Sequence, residues 1–191
     1  FYSVARDMSL VPEELPGTKN SVRDYLRKTG REDDWTELQG IVYGPQIYRA
    51  QIFAGVFEFL GYCRENKIPV YIVSHKTRYP YLGEKYDLHA FALEWLDKNG
   101  FFNSSHTGIT RGSVFLEATR EDKMKRIGEI SCTHFMDDLP DFLSEKSFPA
   151  EVVRILFDPK SEHSSWSGER VAEWHELPAL IEKNWNGRNS L

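Results

Sequence analysis

Four short apolar runs, rich in β-branched and aromatic residues, alternate along the chain with stretches of helical periodicity. That alternation constrains the fold more than any other feature. Val70–Val73, Ser113–Leu116, Thr133–Met136 and Val152–Phe157 read as strands. Between and before them, Ile52, Phe53, Val56, Phe57 and Leu60 mark one face of a helix. Leu88, Phe91, Ala92, Trp95 and Leu96 mark another, which stops at Asn99-Gly100 as a C-cap would. Thr119 stands as a candidate N-cap with Asp122 three residues on, ahead of Met124 and Ile127. Strands that alternate with helices point to βαβ units and a parallel sheet. Their nearly continuous apolar character is what strands covered on both faces require. A last helix is expected near Pro178–Asn184, and the polar end from Asn186 to Ser190 is expected to fray.

The first fifty residues differ. They are charged and carry no strand-like run, but Val22, Tyr25 and Leu26 recur at helical spacing behind the Pro16-Gly17 breaker. A second short helix is expected around Asp33–Gln39, with Trp35 and Leu38 on its apolar side. This reads as a helical unit over 1–50, too thin to bury a core alone, set before an α/β unit over 51–191. The chain opens on Phe1 rather than Met, so it is expected to begin part-way into a longer one.

Composition narrows the function classes. With 40% hydrophobic and 28% charged residues the chain has globular composition, and it holds no run of the roughly 20 apolar residues that a membrane helix needs. A net charge of -5 argues against nucleic acid as a partner, because phosphate contact favours a basic surface. Two cysteines, Cys63 and Cys132, form no Cys-x-x-Cys pair and no disulfide framework, so a reducing, cytoplasmic setting is expected. Cys63 falls in a helical stretch and should be buried and inert.

Open parallel sheets bind ligands at the carboxyl ends of their strands. Those ends deliver Ser74-His75-Lys76-Thr77-Arg78, then Glu117 and a helix carrying Lys123 and Lys125, then Asp137-Asp138-Leu139-Pro140-Asp141. Hydroxyls and lysines suit phosphate oxygens, and clustered aspartates suit Mg²⁺. Each element also has a structural reading: serine as turn chemistry, lysine as solvent-facing, and Asp-Asp as a helix start.

In this order, Val-Tyr-Ile-Val-Ser74, Lys123 and Phe-Met-Asp137-Asp138-x-x-Asp141 resemble motifs II, III and IV of the haloacid dehalogenase superfamily. The resemblance spans about Gln51 to Pro159. The helical segment before it resembles the small cap that follows motif I. It implies a Rossmann-like three-layer α/β fold with a small helical cap, and a phosphohydrolase working through an aspartyl-phosphate with Mg²⁺ on a phosphorylated small molecule. Ser74 would bond a phosphoryl oxygen, with His75 beside it, and Lys123 would neutralise the phosphoryl group. Asp137 would ligate Mg²⁺, with Asp141 in support and Asp138 as the alternative ligand. Lys125 and Lys76 are the alternatives for the cation. The family's motif I, Asp-x-Asp, occurs nowhere in these residues, so its nucleophile is expected upstream of Phe1. The alternative is a catalytically silent module of the same fold that binds a phosphorylated ligand or a protein partner. Neither a phosphate-binding Gly-x-x-x-x-Gly-Lys loop nor a Gly-x-Ser-x-Gly elbow is present, and the six histidines form no tight metal-binding pair.

Overall fold

A computed structural model describes residues 1–188. The chain divides into two compact units, one formed by residues 1–51 and 76–100 and the other by 52–75 and 101–191. To the first fifty residues the structure therefore adds a second stretch of chain. The expected fraying of Asn186–Ser190 lies partly outside the described residues, since 189–191 are not among them.

The first unit is helical. Helices α1 (Tyr2–Asp7), α2 (Lys19–Lys28) and α3 (Glu32–Tyr43) come from its first stretch, and α5 (Leu88–Lys98) from its second. Thr18 starts α2 by accepting the Ser21 amide at 3.0 Å, and Asp87 starts α5 by accepting the Ala90 amide at 3.0 Å. Val4, Ala5, Val11, Val22, Leu26, Trp35 and Leu38 close into a buried cluster. The expectation that this segment is too thin for a core is thus corrected. Helix α1, which the sequence reading left out, supplies the third wall. Residues 77–87 cross the surface before α5, with the Leu88 amide donating to the Arg78 carbonyl at 2.8 Å. At Gly83 the backbone has φ +82, and a Cβ there would lie 2.9 Å from the Glu37 side chain, so both conformation and space select glycine.

The second unit is mixed α/β. In chain order it comprises α4 (Val56–Glu65), β1 (Ile72–His75), α6 (Ser104–Thr107), β2 (Val114–Glu117), α7 (Arg120–Glu129), β3 (His134–Asp137), α8 (Pro140–Leu143), β4 (Val153–Phe157), β5 (Glu169–Val171) and α9 (Leu177–Arg188). Every strand pairing among the described residues is parallel. Strand β1 pairs with β2, setting Ser74 against Leu116 and His75 against Glu117. A second sheet runs β3-β4-β5, with Asp137 against Leu156. Among the described residues, β1 and β3 each have one hydrogen-bonded neighbour, so each leaves one edge open.

Strand burial is more graded than the apolar runs predict. Ile155 and Leu156, adjacent and therefore on opposite faces, are both buried, so β4 is covered on two sides. Every residue of β2 and β3 is only partly buried. The core of this unit joins Val73 of β1, Met124 and Ile127 of α7, and Phe142 and Leu143 of α8 to Phe148, Val152 and Leu156. Helix α7 packs on β1 and β2 and contributes to the core that α8 and β4 share. No helix among the described residues is long and apolar enough to cross a membrane.

Candidate functional site

The carboxyl ends of the strands supply the candidate site, and α7 fixes its centre. Thr119 caps α7 by accepting the Asp122 amide at 3.0 Å, and its hydroxyl donates to the Asp122 carboxylate at 2.8 Å. One turn later Met124 and Ile127 enter the core, and that anchoring carries Lys123 inward with them. Its ammonium meets the Asp137 carboxylate at the end of β3, Nζ to Oδ2 2.5 Å, with both side chains more than nine-tenths buried. The Phe142 ring lies 4.1 Å from Nζ and the Phe135 ring 5.3 Å. A lysine can give up water here because a carboxylate and two aromatic faces replace it. The other Asp137 oxygen accepts the Leu139 amide at 3.0 Å, which fixes the carboxylate against the turn into α8.

Polar contacts also tie the ends of β1 and β2 and the flanks of α7. The His75 Nε2–H donates to the Ala118 carbonyl at 3.1 Å, linking the ends of β1 and β2. Glu117 accepts from Arg126 Nε at 2.8 Å, and the Arg126 guanidinium lies 4.5 Å from the Phe115 ring. Arg120 reaches Glu145 at 2.6 Å, with its guanidinium 5.5 Å from the centre of the Phe142 ring.

The expected residues therefore separate. Lys123 and Asp137 are brought into contact. Ser74 is the third residue of β1, inside the strand rather than after it, because pairing with β2 runs from Ile72 to His75. Asp137 likewise ends β3 instead of following it. Lys125, offered as an alternative cation, faces solvent and pairs with Glu129 one turn along at 3.6 Å. Lys76, the other alternative, belongs to the helical unit. Asp138 and Asp141 are exposed.

The donors at this rim do not by themselves make a magnesium site. Both Asp137 oxygens are engaged, one by an ammonium and one by an amide. Among the described residues no three histidine, cysteine, aspartate or glutamate side chains gather as a metal would require. Asp137, Asp138 and Asp141 are thus not gathered into a ligand set among the described residues.

One acid at a strand end escaped the sequence reading. Asp158, immediately after β4, is buried and accepts the Glu162 and His163 amides at 2.9 and 3.0 Å, with Arg170 at 3.4 Å. Burial pushes its carboxyl pKa up, but the two amides and the nearby positive charge outweigh it and hold the group below the usual carboxylate value. Its role is to fold the 158–163 loop. An aspartate followed by Pro-Lys-Ser was the available signal.

Comparison with protein-family models, with curated proteins and with solved structures gives no match.

Proposed function

We propose that this chain belongs to a phosphohydrolase of the haloacid dehalogenase type, acting on a phosphorylated small molecule. The α/β unit would be the Rossmann-like core and the helical unit the cap. The single observation that supports the reading is the buried Lys123–Asp137 pair at the strand ends, with one ammonium held in an aromatic and carboxylate cradle. An ammonium fixed in a site of low polarity is the kind of charge that stabilises a phosphoryl group in transfer, and it needs no reorganisation when the charge develops. Ser74 and His75 lie at the end of β1, where a hydroxyl would bond a phosphoryl oxygen.

The reaction also requires an attacking carboxylate. An aspartate oxygen would displace the substrate alcohol from phosphorus, and water would then hydrolyse the acyl-phosphate and return the carboxylate. No Asp-x-Asp is present in these 191 residues. The open edges of β1 and β3 are where a further parallel strand carrying those residues would be accommodated.

The test is phosphate release from a panel of phosphate monoesters by the full-length protein, with and without Mg²⁺. Lys123→Met and Asp137→Asn should each lower turnover roughly 10²–10³-fold, with circular dichroism used to confirm folding. Turnover unchanged in both folded variants overturns the reading. The absence of Asp-x-Asp favours a second reading, a silent module that binds phosphorylated ligands; binding of a phosphate monoester with no release by the full-length protein is its signature.

A further inference from the structure

Within the helical unit, two lysines converge on one tyrosine without any carboxylate to balance them. Lys19, the first residue of α2, donates from Nζ to the Tyr43 hydroxyl at 3.0 Å. The same ammonium lies 5.7 Å from the Tyr43 ring centre and 5.0 Å from that of Phe1. Lys76, which comes from the unit's other stretch of chain, holds its ammonium 4.4 Å from the Tyr43 ring. Neither ammonium has an acidic side chain within 4.0 Å among the described residues. Arg6, Arg23, Arg27, Arg31, Arg49, Arg78 and Lys98 of the same unit are each paired with an acid, and Lys28 and Lys85, which are not, touch no aromatic ring among the described residues.

The backbone holds Lys76 in this position. Its carbonyl accepts the His89 Nε2–H from α5 at 2.7 Å, and the next residue, Thr77, bonds the Tyr79 carbonyl at 2.9 Å. Tyr43 is the last residue of α3, so three separate segments meet at its ring. Burial pushes the Lys76 pKa down to about 8, which is what an ammonium half removed from water does when no anion compensates it.

The hydrogen-bond inventory is one-sided. Tyr43 accepts from Lys19, so its own O–H remains to be given. Lys19 has two ammonium hydrogens beyond that bond, and Lys76 makes no side-chain hydrogen bond among the described residues. Two positive charges and a hydroxyl proton, with no carboxylate within 4.0 Å of either ammonium among the described residues, are the complement of a dianion. The positive end of α2, ten residues long, adds to the same field.

We propose that Lys19, Tyr43 and Lys76 form a binding subsite for a tetrahedral oxyanion, the phosphate group of a small molecule or free phosphate. The subsite stands apart from the reading of the α/β unit: it rests on residues of the helical unit alone and holds whether or not Lys123 serves catalysis.

The test uses the complete chain and inorganic phosphate. Lysines are labelled by reductive methylation in phosphate, in acetate or in chloride, at one pH and ionic strength, and the rate at each lysine is read by peptide mass spectrometry. Only the unprotonated amine reacts, so a bound dianion slows labelling both by covering the group and by favouring its protonated form. At phosphate about ten times its dissociation constant, Lys19 and Lys76 should label about tenfold more slowly, because only the unbound fraction reacts. Lys28 and Lys160 should label at the same rate in all three salts. Tyr43→Phe keeps the ring but removes the hydroxyl and should weaken the protection at both lysines. Protection that survives in Lys123→Met locates the anion at this subsite, whereas protection lost in that variant overturns it. Equal labelling of Lys19 and Lys76 in phosphate and chloride overturns it as well, as does acetate protecting them to the same extent as phosphate.

Discussion

At the scale of single residues, the decisive contact is between Lys123 and Asp137. Asp137→Asn would leave the lysine ammonium buried beside Phe142 without its counter-charge, so the variant is expected to lose about 3–5 kcal/mol of stability. Lys123→Met removes the mirror partner and should cost a similar amount. The double variant Lys123→Met/Asp137→Leu leaves no orphaned charge, so it should be more stable than either single change. Urea unfolding of the four proteins measures this, and a double variant no better than the worse single one would show that the pair is not coupled. Cys63 gives a second check. Burial pushes its thiol up to about 11, so it should not react with a thiol reagent at pH 8 in the folded protein and should react fully in urea. The sequence reading anticipated the burial of Cys63 from its helical position. It had no means of finding the Lys–Asp contact, because residues 14 apart meet only when α7 is laid against the strand ends.

At the scale of elements, local signals were legible wherever the backbone satisfies itself nearby. Thr119 caps α7 as its spacing with Asp122 predicts, and Asn99-Gly100 ends α5 with Gly100 at φ +81. Thr119→Ala should therefore cost about 1 kcal/mol of stability, read as a lower midpoint in thermal unfolding, while Thr119→Ser should cost much less. Strand limits were less legible. The apolar run begins at Val70, yet β1 occupies Ile72–His75, because its limits are set by pairing with β2 across an intervening stretch of chain. For the same reason the brief strand β5, Glu169–Val171, escaped notice. Its three residues carry no periodicity, and it exists because β4 offers an edge.

For the molecule as a whole, the division into units follows cores rather than chain order. Residues 76–100 leave the α/β unit between β1 and β2 and belong with the first 51. No composition shift marks that excursion, so the sequence reading placed its boundary at residue 50 alone. The core of the first unit takes walls from α1, α2 and α3. Leu38→Ala should cost about 2–5 kcal/mol, and hydrogen exchange should quicken in all three helices together, since one cavity undermines them all. Loss of protection confined to α3 would mean that the cluster is not cooperative.

Local patterns alone are enough to fix the alternation of helices with parallel strands, the cap of α7 at Thr119 and the end of α5 at Asn99-Gly100. All of these depend on neighbours within a few positions or on periodic burial. Packing sets which polar residues touch: Asp137 is engaged by Lys123 rather than standing with Asp138 and Asp141, Asp158 closes its own loop, and Lys76 joins Lys19 at Tyr43. The contacts of Lys123 and Lys76 join residues far apart in the chain, and their free energy comes from charges and rings brought together by packing, which no local pattern encodes.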